Sequence, residues 1–520
     1  MSDQCPWWPA TATKQFGMMS MFVKEKLHIN EVVLGTAFGI AVGPHAANIF
    51  DPRSWSTSTD NLTREVMRVV LATGLFAIGV ELPQLYMLKH AKDLLIMVLP
   101  TMAFGWVVSA VFIHSLFPGL DFVSALAISA CLTPTDPTTC AAIMTGSFAV
   151  KHVPANVRRL LAAESASNDG FAYPFLSLSI YLTTEASRRS AIGKWFLIGW
   201  LYQVILGITL GTILGLVFAT IMKYTHRKGL IDRESYVAQY LALGIFTIGI
   251  TSTIGSDDLL AAFAAGSAMS WDGHFKSQTE NEVFSSVIDL VLNCACFVYI
   301  GAWMPFDQFN SFELGLRPWR LIVLFVALLL FRRIPFVMMV YSWVPEIRSW
   351  KEALFSGHFG KCYVLHQYHH ADLLVATGPM GVGAIFISTL AQSRLVTPES
   401  PPRDQEQLLA ACLQPIVAFV VLGSIMAHGL SIPFFAVGRE VRSRTLSLSR
   451  TPTSNQPDAP TWLLSVRHLT GPSSGLDTPI DVEQRQANGL DQVGEALDTL
   501  PQSADRSGAL SKRSSMASPW

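Results

Sequence analysis

Charge is scarce in this sequence: Asp, Glu, Lys and Arg make up 14% of 520 residues, where a soluble domain carries about a quarter. What charge there is nearly cancels, to a formal net of -1, so there is no basic field of the kind that binds nucleic acid. Paired CxxC motifs are missing as well. The seven cysteines (Cys5, Cys131, Cys140, Cys294, Cys296, Cys362 and Cys412) fall mostly in apolar stretches at irregular spacing. That pattern reads as small hydrophobes rather than as metal ligands or a disulfide framework. Residues 1–15 lack the basic start and apolar run of a cleavable signal peptide, so membrane insertion would rest on the first true span.

What the chain has instead is apolar length. Half of its residues are hydrophobic, and the mean hydropathy is +0.37 despite a polar end. Runs such as 192–222 reach or exceed the roughly 20 residues that cross a bilayer. Charges, prolines and glycines divide the apolar runs into about twelve expected spans, near 31–50, 66–88, 93–117, 121–148, 158–183, 191–222, 237–254, 257–271, 284–304, 319–344, 379–395 and 408–437. The fold class expected is an all-α polytopic membrane protein. The run 16–23, ahead of Lys24-Glu25-Lys26, is too short to cross and reads as the end of a span whose beginning is missing, so 1–30 is taken as a truncated N-terminal segment. Basic loops at Lys89 to Lys92, Lys151 to Arg159 and Lys223 to Arg233 share one side if the spans alternate, which predicts that side to be cytoplasmic, against the counterexample at Arg188 to Lys194. From Arg439 the composition turns polar and aromatic-poor, predicting a disordered cytoplasmic tail over 439–520. Ser447, Ser449 and Thr451 lie there near arginines, as phosphate acceptors or as plain solvated residues.

Acids inside the apolar runs carry the chemistry. In Thr133-Pro134-Thr135-Asp136-Pro137 two prolines remove backbone donors and interrupt the helix. In lipid, such an interruption must line a cavity or find partners. Asp136 then either caps the second half-helix, with Pro137 at its first position, or serves an ion site at the break. Glu164, Asn168 and Asp169 follow in the next span; a carboxylate at that depth is costly and tends to be paired or functional. Glu164 and Asn168 share a helix face, and Asp169 is turned away by about 100°. Asp257 and Asp258, after Gly255, either exploit the positive end of a helix dipole or attract cations at a cavity mouth. Glu81 reads as a further intramembrane acid beside Pro83, lining a cavity or paired. Arg332 and Arg333 either snorkel or neutralise a buried acid, Glu164 being the choice of partner. Asp289 is a weaker candidate, and His45, His114 and His428 read as hydrogen-bonded structural residues, with pH sensing the alternative. A cavity lined by Thr135, Asp136, Asn168 and Asp169 would hold a carboxylate tolerable only when protonated or cation-bound. Proton and hard cation would therefore compete for one charge, which is the logic of exchange. A cation channel is the alternative class, although single buried acids at broken helices favour a carrier.

Several motifs together carry a family resemblance: Phe22-Val23-Lys24-Glu25-Lys26-Leu27, Gly43-Pro44-His45-Ala46-Ala47-Asn48-Ile49-Phe50, Phe76 to Pro83, Leu132 to Pro137, Leu161 to Ser165 with Asn168-Asp169-Gly170, and Gly381-Val382-Gly383-Ala384-Ile385-Phe386. Over most of 20–438 the chain resembles the fungal plasma-membrane sodium/proton antiporters, of the cation:proton antiporter superfamily that includes the animal sodium/proton exchangers. The resemblance implies an inverted-repeat antiporter fold over 31–438, with core and dimerisation parts, two crossed broken helices and a homodimer. It implies that Asn168-Asp169 is the transport site, that Asp257 and Asp258 assist, and that Glu164 pairs with Arg332 or Arg333. Sodium and lithium, with potassium in some members, would be exchanged for protons, with no cofactor and no enzymatic step. One departure stands out. The family runs from a segment like His358-Phe359-Gly360 straight into Pro379-Met380-Gly381, whereas here Lys361 to Gly378 intervenes. The codons of Gly360-Lys361-Cys362 can spell GTAAGT and those of Thr377-Gly378 can supply a terminal AG, which predicts a translated retained intron over 361–378. The rival reading is a loop insertion whose His366, His369 and His370 sense metal or pH; an inactive splice product that pairs with intact copies is the corresponding alternative for the whole chain.

Overall fold

In the computed structural model, residues 31–56, 58–144, 155–230, 233–275, 284–345, 350 and 378–449 are described; the side chains of 141–144, 233–238, 240, 284–289 and 431–449 are not. The N-terminal segment, the histidines of 361–378, the side chain of Asp289 and the tail beyond Ser449 therefore lie outside the described residues. One compact unit runs through Arg444, and of the second unit, Thr445–Trp520, only its first five residues are described.

Every regular element among the described residues is helical. Besides a single turn at Tyr86–Lys89 and short 3-10 turns at Pro52–Ser54, Phe306–Asn310 and Tyr341–Trp343, they are in chain order α1 (Glu31–Val42), α2 (Thr59–Glu81), α3 (Ala91–Leu116), α4 (Phe122–Leu132), α5 (Pro137–Met144), α6 (Ala155–Thr184), α7 (Arg188–Lys194), a π-helical stretch (Trp195–Ile205), α8 (Leu206–Arg227), α9 (Arg233–Ile254), α10 (Asp258–Met269), α11 (Phe284–Trp303), α12 (Pro318–Phe331), α13 (Ile334–Val340), α14 (Val382–Gln392) and α15 (Gln405–Ser449). By length and composition four stretches among the described residues can cross a bilayer unaided: Ala91–Leu116, Arg188–Arg227, Pro318–Trp343 and Gln405–Leu430. Several expected spans are instead shorter apolar helices of 10–17 residues. The run expected as one span over 121–148 is two half-helices, α4 and α5, because Pro134 and Pro137 cannot donate to a continuing helix. The run 257–271 contains only the 12-residue α10, which starts after Gly255 turns the chain at φ +84°. At the other extreme α15 continues to Ser449, ten residues past Arg439, where the sequence predicts a tail without structure.

Close backbone contacts hold the bundle together. A methyl group at Gly266 would fall 2.2 Å from the Phe76 carbonyl oxygen, and one at Gly211 would fall 2.1 Å from that of Ala261. Glycine there lets α10 lie directly against both α2 and α8, the small-residue packing that serves where apolar burial cannot drive association. The bundle has two ends. One gathers the chain around 51–59, 254–257, 303–307 and 393–405: Arg53 Nε donates to the Trp303 carbonyl, His45 Nδ1 lies 3.7 Å from Asp307, and Gln414 Nε2 donates to Asp60. The opposite end gathers 82–90, 223–230 and 270–275, where Lys223 pairs with Asp272 and the His226 and His274 rings meet edge to face.

Candidate ion-binding site

An interrupted helix meets the non-helical segment before α14 at the centre of the bundle. The helix stops at Leu132 and resumes at Pro137; across the gap the Asp136 amide donates to the Pro379 carbonyl at 2.7 Å. Pro379 belongs to the non-helical segment Gly378 to Gly381, which leads into α14. Arg332, buried at the α12–α13 break, bridges both. Its guanidinium donates to the carbonyls of Leu132 and Thr133 and, at 2.9 Å, to that of Gly378. The carbonyls left open where α4 ends carry partial negative charge, and one cation there answers them.

Asp136 caps α5. Its Oδ2 accepts from the Thr139 amide at 3.1 Å, from Thr138 Oγ1 at 2.9 Å and from Thr139 Oγ1, while Oδ1 is buried without a hydrogen-bond partner. The capping alternative is thus real geometry, and it leaves one oxygen over. Thr135 is held by α6: its amide donates to Asn168 Oδ1 at 3.0 Å, its hydroxyl accepts from Asn168 Nδ2 at 2.6 Å, and its carbonyl accepts from Ser165. Asn168 Nδ2 also reaches Glu164 Oε1 at 3.2 Å. Glu164 in turn receives both terminal nitrogens of Arg333, at 2.8 and 2.6 Å, with both side chains almost wholly buried. A forked guanidinium matching a carboxylate is the strongest form of such a pair. Of the two arginines, therefore, Arg333 neutralises Glu164 and Arg332 serves backbone.

Asp169 is different. It is 1% exposed, and neither carboxylate oxygen has a hydrogen-bond partner among the described residues. The charges that act on it most are those of Asp136 and Asp257. Space for it is provided by α14: a methyl group at Gly383 would sit 2.5 Å from Asp169 Oδ1, and one at Gly381 would sit 2.3 Å from Asp136 Oδ2. Both carboxylates thus lie against the first turn of α14, whose open amides and dipole offset part of the cost of burying negative charge.

A cavity of about 390 Å³ runs from Asp169 to the end of the bundle that holds 254–257 and 393–394. Its lining includes Asp257, Asp258, Gln203, Arg68 and Arg394. Asp257 caps α10 by accepting from the Leu260 amide at 2.9 Å, and Asp258 lies 2.7 Å from Arg68 Nε. The π-helical stretch brings Gln203 to the turn that sets this pair of acids, where its Nε2 donates to the Gly255 carbonyl at 2.8 Å. Glu81 is elsewhere. It is exposed at the last residue of α2, about 20 Å along that helix from Arg68, and does not line this cavity; the helix ends seven residues before the close of the span expected over 66–88. His114 and His428 bond the backbone carbonyls of Leu120 and Ser424. The five cysteines among the described residues are buried and form no disulfide.

Glycine at 383 makes a sharp prediction. Alanine is the better helix former by about 1 kcal/mol, which offsets part of the roughly 1–3 kcal/mol that overpacking a buried site costs, so Gly383→Ala lowers the amount of folded protein only modestly. Its methyl displaces the Asp169 carboxylate, and cation-dependent proton movement falls severalfold; titrating that movement with sodium in vesicles checks it.

The sequence model of the family described as sodium/hydrogen exchanger, transmembrane, matches residues 16–438. The chain belongs to that family. Among relatives, it is 42% identical over 453 residues to a probable Na(+)/H(+) antiporter of Schizosaccharomyces pombe, covering 85% of this chain and 57% of the relative. It is 40% identical over 449 residues to the Na(+)/H(+) antiporter of Saccharomyces cerevisiae, covering 84% and 44%. A second S. pombe Na(+)/H(+) antiporter matches at 36%, covering 87% and 93%. This exchanger-family chain thus spans about half the length of the first two relatives. Its fold is that of MjNhaP1, a sodium proton antiporter from Methanocaldococcus jannaschii, at a TM-score of 0.59 and 16% identity over 83% of this chain and 97% of that one.

Sequence reasoning did not name Arg68, Gln203 or Arg394, and it quoted Gly381 and Gly383 only within a family motif, without a role. Gln203 carried a signal, as a lone amide in the apolar run 195–208. So did the paired glycines of Gly381-Val382-Gly383, which mark close backbone approach.

Proposed function

We propose that this protein is an alkali-cation/proton antiporter that moves sodium or lithium against protons by alternating access, with potassium a further candidate substrate. The observation that carries the reading is Asp169, a carboxylate buried against the first turn of α14, without a hydrogen-bond partner among the described residues, at the floor of a cavity of about 390 Å³. Such a group is stable only when it holds a proton or a metal ion, and both cannot be held at once. Asp136 Oδ1 and Thr135 stand ready as further oxygen ligands of the kind alkali cations take. Asp257 and Asp258 draw cations toward the site from the cavity mouth. Glu164 and Arg333 hold the frame and take no part in ion transfer, and Arg332 ties the end of α4 to the segment before α14. The channel alternative is weaker, because one enclosed carboxylate suits a carrier that loads and releases in turn.

We place the protein in the plasma membrane as a homodimer, with the end that bears Lys89, Lys223 and Arg227 facing the cytoplasm together with the C-terminal tail. On that assignment the cavity opens outward. Dissipation of a preset pH gradient by sodium, lithium and potassium chlorides in vesicles tests the exchange: cation-driven proton movement that reverses with the gradients supports it, and its absence with correctly inserted protein defeats it.

Residues 361–378 enter the same test. Removing Lys361 to Gly378 joins Gly360 to Pro379, so a glycine carbonyl still precedes Pro379 and Arg332 keeps an acceptor. We expect the shortened chain to exchange at least as fast as the full one, and transcript reads across this junction to include spliced forms. Reads that never omit the segment remove the intron reading.

A further inference from the structure

Arg68 has no part in the scheme above, yet it stands in the cavity mouth among four acids. It comes from the first half of α2, and its side chain is 16% exposed. Nε lies 2.7 Å from Asp258 Oδ2, an ion pair rather than an aligned hydrogen bond, while NH1 donates to both oxygens of Glu65 at 2.7 and 2.6 Å. The guanidinium also lies 5.8 Å from the centre of the Phe386 ring, in the second turn of α14. Asp257 adjoins Asp258 in the chain, and Asp169 closes the cavity below. The other cations here are Arg64, whose Nε lies 3.6 Å from Glu65, and Arg394 on the far wall.

We propose that Arg68 sets the cation specificity of this mouth: a tethered guanidinium occupies the place between Asp258 and Glu65 where a divalent ion would otherwise lodge, so that only weakly held monovalent cations pass to Asp169. The proposal rests on the antiporter reading for its transport consequence but not for its binding consequence. Calcium takes several carboxylate oxygens at once, and Glu65, Asp257 and Asp258 would offer them. Among the described residues no three acidic, histidine or cysteine side chains now converge closely enough to hold a metal ion; at this mouth Glu65 and Asp258 both turn to the guanidinium. Arginine suits the task because it stays charged at every working pH and its fork fixes two carboxylates together. A carrier must release what it admits, and an ion path with uncompensated acids at its mouth would hold its cargo there.

The test needs two readouts. In purified protein, Arg68→Gln gains a rise in melting temperature with millimolar calcium chloride that wild type and the double variant Arg68→Gln/Asp258→Asn lack. In vesicles, the same single variant shows a sodium KM lowered about threefold or more and is blocked by calcium, while wild type is not. No calcium response in folded Arg68→Gln overturns the proposal. Wild-type vesicles without sodium-driven proton movement would defeat the antiporter reading instead and leave the calcium result to decide here. Should Arg68→Gln fail to accumulate, Asp258→Asn decides: with the guanidinium charge less opposed its sodium KM rises severalfold, and an unchanged or lowered KM overturns the proposal.

Discussion

Vesicles carrying Asp169→Asn show no more sodium-driven proton movement than empty vesicles, at wild-type amounts of inserted protein. The argument is one of charge at constant shape. Asparagine matches the aspartate in size, so it fits the space left by Gly383 without strain. What it lacks is the capacity to alternate between a neutral and an anionic form. With no anion to make, the site neither draws a cation nor carries a proton. Stability changes little or improves, because a buried carboxylate without a hydrogen-bond partner costs more than a buried amide. That sign matters: loss of exchange together with loss of protein would point to a structural Asp169. Sodium-driven proton movement near the wild-type rate would remove Asp169 from the mechanism altogether.

How far the site could be read from sequence depends on which physical signal each part leaves. Pro134 and Pro137 announce an interrupted helix directly, since neither can donate a backbone hydrogen bond, and Asn168-Asp169 announces itself as polarity in an apolar run. The segment Gly378 to Gly381 leaves a weaker trace. It holds a single proline, and the residues before it depart from the family pattern, so nothing in the periodicity marks the backbone around Pro379 as the partner of Asp136. Arg68 was hidden for another reason: three residues after Glu65 on a helix, it looks like a surface pair, and only the arrival of α10 from 190 residues later in the chain turns it inward. Glu81 shows the opposite error. Its neighbours are apolar, but the helix ends on it, and a window of hydropathy cannot tell a buried carboxylate from one that stands at a helix terminus. The long spans were legible because length and apolarity alone decide them. The start of the short helix α10 was legible too, from Gly255 and the acids that follow it; only its far end, at Met269, falls short of the expected 271.

Arg333→Met produces the largest loss of stability of any single change near the site, and the loss is separable from transport chemistry. The Arg333 and Glu164 side chains are 4% and 1% exposed and joined by two hydrogen bonds. Removing one partner leaves a carboxylate stranded in a medium that cannot solvate it, which costs about 3–5 kcal/mol. That is a large share of the stability of an ordinary domain, and the expected outcome is little folded protein and a sharply lower melting temperature in detergent. The two-fold change Glu164→Leu/Arg333→Met replaces the pair with apolar side chains of similar bulk. Because the desolvation cost of both ions disappears with them, the double variant recovers most of the melting temperature that the single one loses. Exchange returns only in part, since Asn168 loses the Glu164 oxygen that steadies it against Thr135. If the double variant were no more stable than Arg333→Met, the pair would be contributing more than mutual neutralisation, and Glu164 would have to be counted among the groups that bind the transported ion.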